Sequence, residues 1–395
     1  MKRNRSKTLV LYAALLSVFT VFLLCEVYIG SYSILTTVSL QSFRRLFSTK
    51  NGRFQTQTGS FNRGDLAELK RSNFSNSFTE DTLNRSLFVS MGDIKKTAMN
   101  IFFVETRCST EKTLEGYVHN KGFVLSARQS CAIESTALTN PDREIYVFHS
   151  CPLDDDFLHH SPHFVAQLFS YPNVHVVKLN NTQVFNGSPV QQLFEKRLLE
   201  SSSYPVEHSS DVIRLVLLWK FGGTYCDLDV VTLRSLEGLR SNWAGAESEW
   251  AVATGVMNFD PEGSAHGMLQ RILQHINYHY DKDGWSSNGP LLLTSFIIRE
   301  CNVHQVEDAA DRCFIDFTVY RRHVLYPIHY SQADLLFDSI LGPQTARMVK
   351  TTSYSVHLWN KISCNMTVDV GSTQGYALLA DKFCPRVYWN CGTLF

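Results

Sequence analysis

The stretch "LVLLWKFGGTYCDLDVV", residues 215–231, constrains the fold more than any other. An apolar run stops at two glycines, and two aspartates then arrive one residue apart. The run is hydrophobic nearly all round, so a helix over about 211–221 is central rather than superficial. Ser209 or Ser210 is its expected cap, with Asp211 in the first turn. Gly222 and Gly223 end it, because glycine accepts the left-handed backbone of a helix C-terminus. The residues "TYCDLDVVTL" then read as a buried strand interrupted by its own acids. Asp227 and Asp229 share side-chain parity in an extended chain and point the same way. Two buried like charges repel, and one pKa has to rise. A divalent cation removes the conflict, and oxygen ligands suit Mn²⁺ or Mg²⁺. Such an ion can clamp a diphosphate and neutralise the charge growing on a leaving nucleotide. The competing reading is an exposed turn with two solvated acids; the flanking apolar helix and glycines argue against it.

The N-terminus bears on compartment. Lys2, Arg3, Arg5 and Lys7 precede a charge-free run from Thr8 to Cys25, which Val27–Ile29 extend past Glu26. At about 1.5 Å per residue the run nearly crosses a ~30 Å hydrocarbon core. The basic flank predicts a cytosolic N-terminus with the rest of the chain across the membrane. A cleaved signal peptide has a shorter apolar region and small residues at its cut site, and Cys25-Glu26-Val27 fits that poorly. Sequons at Asn73, Asn84, Asn180, Asn186 and Asn365 all follow the anchor, which predicts glycosylated surface loops. Nine of the ten cysteines also follow it, without CxxC spacing, so disulfides are expected rather than zinc. Cys301 and Cys313 are the expected local pair, and Cys226, inside an apolar strand, the expected free thiol. Charge is balanced at 37 basic and 37 acidic residues, which argues against nucleic acid as a partner.

The chain divides into a cytosolic tail (1–7), a transmembrane signal anchor (8–29), a Ser-, Asn- and Arg-rich lumenal stem (30–98) and a catalytic domain (99–395). Within the last, "MNIFFVET", "EIYVFHS" and "NVHVVKL" read as strands and 126–139 as a helix stopped by Asn140-Pro141. This alternation predicts an α/β fold with a mostly parallel sheet. Ser188-Pro189 is expected to open a helix with Val190, Leu193, Phe194 and Leu198 on its buried face and Arg197 bordering it. Tyr204-Pro205 is expected to break it.

The block "SDVIRLVLLWKFGGTYCDLDVVTL" resembles the nucleotide-sugar signature of the family 32 glycosyltransferases. The similarity continues through "MNIFFVET", "NGPLLLT", "LYPI" and "HLWNK", over about 99–390. Within that family the lactosylceramide 4-alpha-galactosyltransferases and the alpha-1,4-N-acetylglucosaminyltransferases are the nearest groups.

The resemblance implies a GT-A fold, with a Rossmann-like nucleotide-sugar-binding sheet. It implies a Golgi type II enzyme that uses Mn²⁺ to move galactose or N-acetylgalactosamine from a UDP-sugar, with retention, onto a glycolipid glycan. Asp227 and Asp229 match its metal and donor motif, and Tyr225 lies within it. Asp211 and Arg214 match a helix pair that contacts the donor sugar, and their i, i+3 spacing sets both on one face. Thr106 matches a nucleotide-pocket position. His357 is the candidate third metal ligand, with Trp359 over the diphosphate and Asn360 beside it on the donor. Asn288 and Gly289 are expected at the acceptor. The family's usual Asn-Gly is Thr254-Gly255 in this chain, which leaves the transferred sugar open. Glu247 and Glu249 are acids available to a retaining mechanism, but their spacing does not place them. His159, His160, His275 and His279 lack a partner pattern and read as surface.

Two rivals compete. "DLDVV" also fits an aspartyl-phosphate motif, yet that class carries it on the first strand and needs a downstream lysine. The other rival is a non-catalytic carbohydrate-binding or chaperone-like protein on a transferase fold. Oligomeric state is not readable from the chain.

Overall fold

The computed structural model describes residues 87–112, 118–153, 157–310, 313 and 316–395. The tail, the expected anchor, the stem up to residue 86, and Asn73 and Asn84 lie outside the described residues. Among the described residues no helix is long and apolar enough to cross a membrane.

Apart from a polar antiparallel ribbon of Ser109–Lys112 with Val118–Gly122, apolar runs form the strands. In chain order they are β1 (Ile101–Glu105), β2 (Ile145–His149), β3 (Val174–Lys178), β4 (Gly223–Cys226), β5 (Val230–Thr232), β6 (Trp243–Ala246), β7 (Val252–Phe259), β8 (Thr318–Tyr320) and β9 (Ser355–His357). Seven of them make one sheet in the order β8-β6-β7-β4-β1-β2-β3. The pairings β3–β2, β2–β1, β1–β4 and β6–β8 are parallel. Only β7 runs against its neighbours. β5 and β9 form a separate antiparallel ribbon. This is the mostly parallel α/β sheet, flanked by helices, that the alternation predicts.

Alternate side chains of β1 enter opposite cores. Ile101 and Phe103 pack with helix α1 (Ala127–Thr139) on one side. Phe102 and Val104 pack on the other with α2 (Pro205–Phe221), α3 (Ser264–His279) and α4 (Pro290–Cys301). α1 begins where expected, with Ser126 and Gln129 in a reciprocal capping box.

Two helices differ from expectation. α2 starts at Pro205, six residues before the sequence placed it, with Tyr204 as its uncapped N-cap. Proline fits a first helical position because its missing N–H has no intrahelical partner there. The residue expected to break one helix therefore opens the next, and Ser209, Ser210 and Asp211 lie inside it. The helix expected from 188 shrinks to Gln191–Glu195. Arg197 takes a left-handed φ of 54° and stands exposed, so turns rather than a continuous helix bury Val190, Leu193 and Leu199.

At the other end of α2, Gly222 has φ 66°, and a Cβ there would lie 2.6 Å from Pro261 Cδ. No other residue satisfies both demands. Among the described residues three disulfides form: Cys108–Cys151, Cys131–Cys384 and the expected Cys301–Cys313. Cys226 is free and buried as expected; Cys364 is free too. Asn180, Asn186 and Asn365 are all exposed, as glycan acceptors need to be. His275 and His279 are exposed, in line with the surface reading.

Candidate active site

The acids occupy a turn after the C-terminal end of the central strand β4, not a strand. β4 ends at Cys226, and the Val230 N–H donates to the Asp227 carbonyl at 3.1 Å. That turn carries Leu228 and Asp229 before β5 begins. The two carboxylates do converge, but a turn brings them together, so the extended-strand parity does not explain it. The Asp227 N–H donates to the Gly255 carbonyl at 2.7 Å. Beside that bond β7 bulges: the register jumps from Ala244 opposite Met257 to Gly245 opposite Ala253. A bulge next to a site commonly re-aims its backbone. A Cβ on Gly255 would sit 2.6 Å from Asp227 Oδ2 and 3.2 Å from His357, so this glycine is what lets the acid approach.

His357 arrives from the far end of the chain. β9 pairs with β5 so that His357 faces Val230, one residue past the turn. Its Nε2 lies 3.3 Å from Asp229 Oδ1 and 3.6 Å from Asp227 Oδ2. Ligand atoms of Asp227, Asp229 and His357 all fall within 4.8 Å of one another. Two carboxylate oxygens and an imidazole nitrogen suit Mn²⁺ or Mg²⁺ with positions left for diphosphate oxygens. Nδ1 accepts the Trp359 N–H at 3.0 Å, so the ring proton sits on Nε2 and points at the carboxylates. A cation has to displace that proton, and the Trp359 amide has to release Nδ1 for that nitrogen to carry it.

Arg214 holds Asp227 from the opposite side. Nη1 reaches Asp227 Oδ1 at 3.1 Å and the Thr254 carbonyl at 3.2 Å. Nη2 reaches Asp211 Oδ1 at 3.2 Å and Ser210 Oγ at 3.0 Å, and Nε donates to the Ser210 carbonyl at 3.3 Å. All five N–H groups of the guanidinium thus have protein partners. It also stacks 4.5 Å over the Tyr225 ring, whose hydroxyl donates to Asp227 Oδ1 at 2.8 Å. Arg214 and the buried Tyr225 therefore stand behind Asp227 as its supports, where the sequence expected donor contacts.

The electrostatics follow from this layout. Burial raises the Asp227 carboxyl, but Arg214 and His357 more than reverse it and hold the group below its ordinary value. Burial and the neighbouring Asp227 hold Asp229 above its own. Burial acts to lower His357, yet Asp229 and Asp227 win and raise it. Burial also raises Asp211, with Arg214 opposing.

The remaining expected residues divide. The Asn360 N–H donates to Asp229 Oδ2 at 2.8 Å, and its own Oδ1 is buried without a partner among the described residues. Trp359, at a left-handed φ of 55°, lays its ring 4.1 Å from that of His357 and anchors Nε1 on the Ile328 carbonyl. Thr106 follows β1, and its hydroxyl donates to the Val206 carbonyl at 3.4 Å, near the start of α2. Asn288 is not free for an acceptor sugar. It is 3 % exposed and staples its own loop, accepting from the Asp281 N–H at 3.1 Å and donating to the Asp281 carbonyl at 2.6 Å. Gly289 abuts Asp211, where a Cβ would come within 2.8 Å of Oδ2. Sequence reasoning missed Tyr326, whose hydroxyl accepts the Val256 N–H at 2.7 Å and whose ring stands 5.9 Å from His357. The motif "LYPI" contained it, but nothing local assigned it to the site.

Two family models match adjacent segments. Residues 126–250 match the glycosyltransferase sugar-binding region containing the DXD motif. Residues 261–391 match the alpha 1,4-glycosyltransferase conserved region. The lactosylceramide 4-alpha-galactosyltransferase of Rattus norvegicus is 26% identical over 289 residues, 73% of this chain and 75% of that protein. The Homo sapiens protein of the same name is 27% identical over 294 residues, 74% and 77% of the two chains. The alpha-1,4-N-acetylglucosaminyltransferase of Homo sapiens is 24% identical over 265 residues, 66% and 74%. The resemblance carried by the aspartate block thus extends over most of the folded domain.

Proposed function

We propose that this chain, which resembles the alpha-1,4-glycosyltransferases and carries both of their conserved regions, is a hexosyltransferase. It moves galactose or N-acetylgalactosamine from a UDP-sugar, in alpha-1,4 linkage and with retention, onto a glycan, with a glycosphingolipid as the favoured acceptor. One observation carries the reading. Asp227, Asp229 and His357 meet at one point past the C-terminal end of β4, with a guanidinium behind them. Two of the relatives bear names that specify a lactosylceramide acceptor and galactose; the third specifies N-acetylglucosamine.

Asp227, Asp229 and His357 would hold the divalent ion, which supplies charge neutralisation on the departing diphosphate. This chain's residues do the positioning. Arg214 and Tyr225 fix Asp227, and the Asn360 amide fixes Asp229. The buried Oδ1 of Asn360 is available to a hydroxyl of the donor. Trp359 closes one side of the pocket and excludes water. Same-face attack fits better than a covalent intermediate, with the acceptor's proton passing to the departing phosphate oxygen. A Golgi location as a single-pass type II protein, lumenal domain outward, follows from the anchor expected at 8–29 and the sequons beyond it.

The test uses the full-length protein in detergent. UDP-galactose, UDP-N-acetylgalactosamine and UDP-N-acetylglucosamine are each offered with lactosylceramide or free lactose, in Mn²⁺ or EDTA. The expected result is metal-dependent transfer of one sugar to an alpha-linked product. Binding of UDP and Mn²⁺ with no hydrolysis or transfer from any donor would replace the enzyme with the non-catalytic binding protein.

A further inference from the structure

We propose that Glu247 is an acceptor-side carboxylate of this site, one that takes hydrogen bonds from hydroxyls of the incoming glycan rather than holding the metal. The inference rests on the glycosyl-transfer reading above and deepens it.

Strand register places the residue. Glu247 follows β6 directly, and its N–H closes on the Ala251 carbonyl at 2.8 Å, so the hairpin into β7 is tight and the strand's alternation persists. Ala244 and Ala246 pack into the core under α2 to α4. Trp243 packs into the other core, and a Cβ on Gly245 would meet the Tyr326 ring at 2.7 Å. Parity therefore sets Glu247 on the same face as Gly245, Tyr326 and His357. Its charge acts there: burial holds its carboxyl above the ordinary value, and its field adds to those raising His357. Even so, it is not one of the three clustered ligands.

Among the described residues nothing satisfies it. Among the described residues no cation or hydrogen-bond donor meets the Glu247 carboxylate; burial and the field of His357 are all that act on it. Its oxygens are left to solvent, and the hydroxyls of a ligand can take the place of that water. Glu249, two residues on, is exposed and raises no such question.

The same face carries a row of rings. Tyr326, His357, Trp359 and Tyr330 follow one another, with centroids 5.9 Å apart for the first pair, 4.1 Å for the second and 6.0 Å for the third. Tyr330 is 43 % exposed. Tyr326 is fully buried at the inner end of the row, so the rings a ligand can stack on are Trp359 and Tyr330. Such an aromatic face with a hydrogen-bond acceptor on the same side of the sheet is the combination that a saccharide fits, with an apolar ring face and a fringe of hydroxyls. The opposite face holds Asp211, which the resemblance matches to a donor-sugar contact, with Gly289 packed against it. That leaves the Glu247 face to the second sugar. No covalent step is assigned to Glu247. The acceptor oxygen bonds to the anomeric carbon, the bond from that carbon to phosphate breaks, and the proton goes to the phosphate oxygen. Glu247 grips a neighbouring hydroxyl so that the attacking oxygen is aligned.

Glu247→Ala and Glu247→Gln in the full-length protein test this, with acceptor KM, donor KM and acceptor-free UDP-sugar hydrolysis measured for each. Acceptor KM should rise roughly 10- to 100-fold in the alanine variant and less in the glutamine variant, which keeps one acceptor oxygen. Donor KM and hydrolysis should stay within about twofold of wild type, which also certifies a folded donor site. Unchanged acceptor KM, or a loss that appears in donor KM or hydrolysis, overturns the proposal. A wild-type protein that neither hydrolyses nor transfers from any UDP-sugar overturns the glycosyl-transfer reading itself. Active wild type with unaltered acceptor KM in both variants overturns the Glu247 inference alone.

Discussion

Glu134 and the Asp227–Asp229 pair are carboxylates withdrawn from water and treated in opposite ways. Glu134, on α1, is fully buried, and burial pushes it up to about 7. Oε1 accepts the Tyr171 hydroxyl at 2.8 Å and the Arg386 N–H at 2.9 Å; Oε2 accepts the Val387 N–H at 2.8 Å. Those amides open the helix Pro385–Asn390, so the carboxylate satisfies donors that a helix start leaves unpaired. The protein completes this site by itself. At the other centre Asp211, Asp227 and Asp229 face a single guanidinium and His357. With the imidazole neutral, three carboxylates against one arginine leave two negative charges uncompensated. A structural carboxylate is closed by peptide N–H groups, whereas a functional one is left short by the charge of its ligand.

The comparison breaks most readily at Asp229. Asp229→Asn should lower kcat/KM by about 10³-fold or more, roughly 4 kcal/mol of transition-state stabilisation, while the protein still folds. It should also abolish the rise in Tm that Mn²⁺ gives the wild type; normal turnover in this variant would remove the metal assignment. Glu134→Gln should do the reverse. The amide NH2 would replace one carboxylate oxygen and face the Arg386 or the Val387 N–H, lowering unfolding free energy by about 2–3 kcal/mol. Urea titration measures that loss, and kcat at a permissive temperature should hold; loss of transfer without loss of stability would contradict the structural role.

His357→Gln sharpens the metal side. Mn²⁺ affinity should fall about 10- to 100-fold, with activity recovered at saturating Mn²⁺. Calorimetric titration reads the change, and an unaltered Kd would exclude His357 as a ligand. The smallest effect is with pH. His357 is raised above its ordinary 6.5 by Asp229 and Asp227 against the pull of burial. Its ion pairs therefore stabilise the metal-free protein fully below about 6.5 and are lost as pH rises through the higher folded value. Mn²⁺ competes with that proton, so affinity should climb over the same window by up to about tenfold per pH unit. A flat profile would mean that the imidazole is not displaced.

Legibility in the sequence tracked locality. Gly222-Gly223, the helix over 126–139 and the apolar strands at 101–105, 145–149 and 174–178 are properties of a few neighbouring residues, and each formed where it was read. The start of α2 was misplaced because Pro205 terminates one pattern and initiates another, and only the burial of His208, bonded to Ser202, Tyr280 and Gly284, decides between them. Asn288 read as a sugar contact because a loop asparagine beside Gly-Pro has polar groups to offer. The fold turned both of them onto Asp281. Glu247 and Glu249 were indistinguishable as letters, and the β6–β7 hairpin turned one inward and left the other outside.

By itself the sequence determined the α/β class, the central helix, the turn glycines and the identity of the two metal-type aspartates, since these follow from residue type and spacing within a single element. Tertiary structure alone decided that Asn360 would meet Asp229 across 131 residues, that Arg214 would serve Asp227 rather than a sugar, and which face of the sheet stayed open. Local pattern fixes conformation over a few residues. The distance between atoms far apart in the chain depends on strand pairing and core packing, which no single segment encodes.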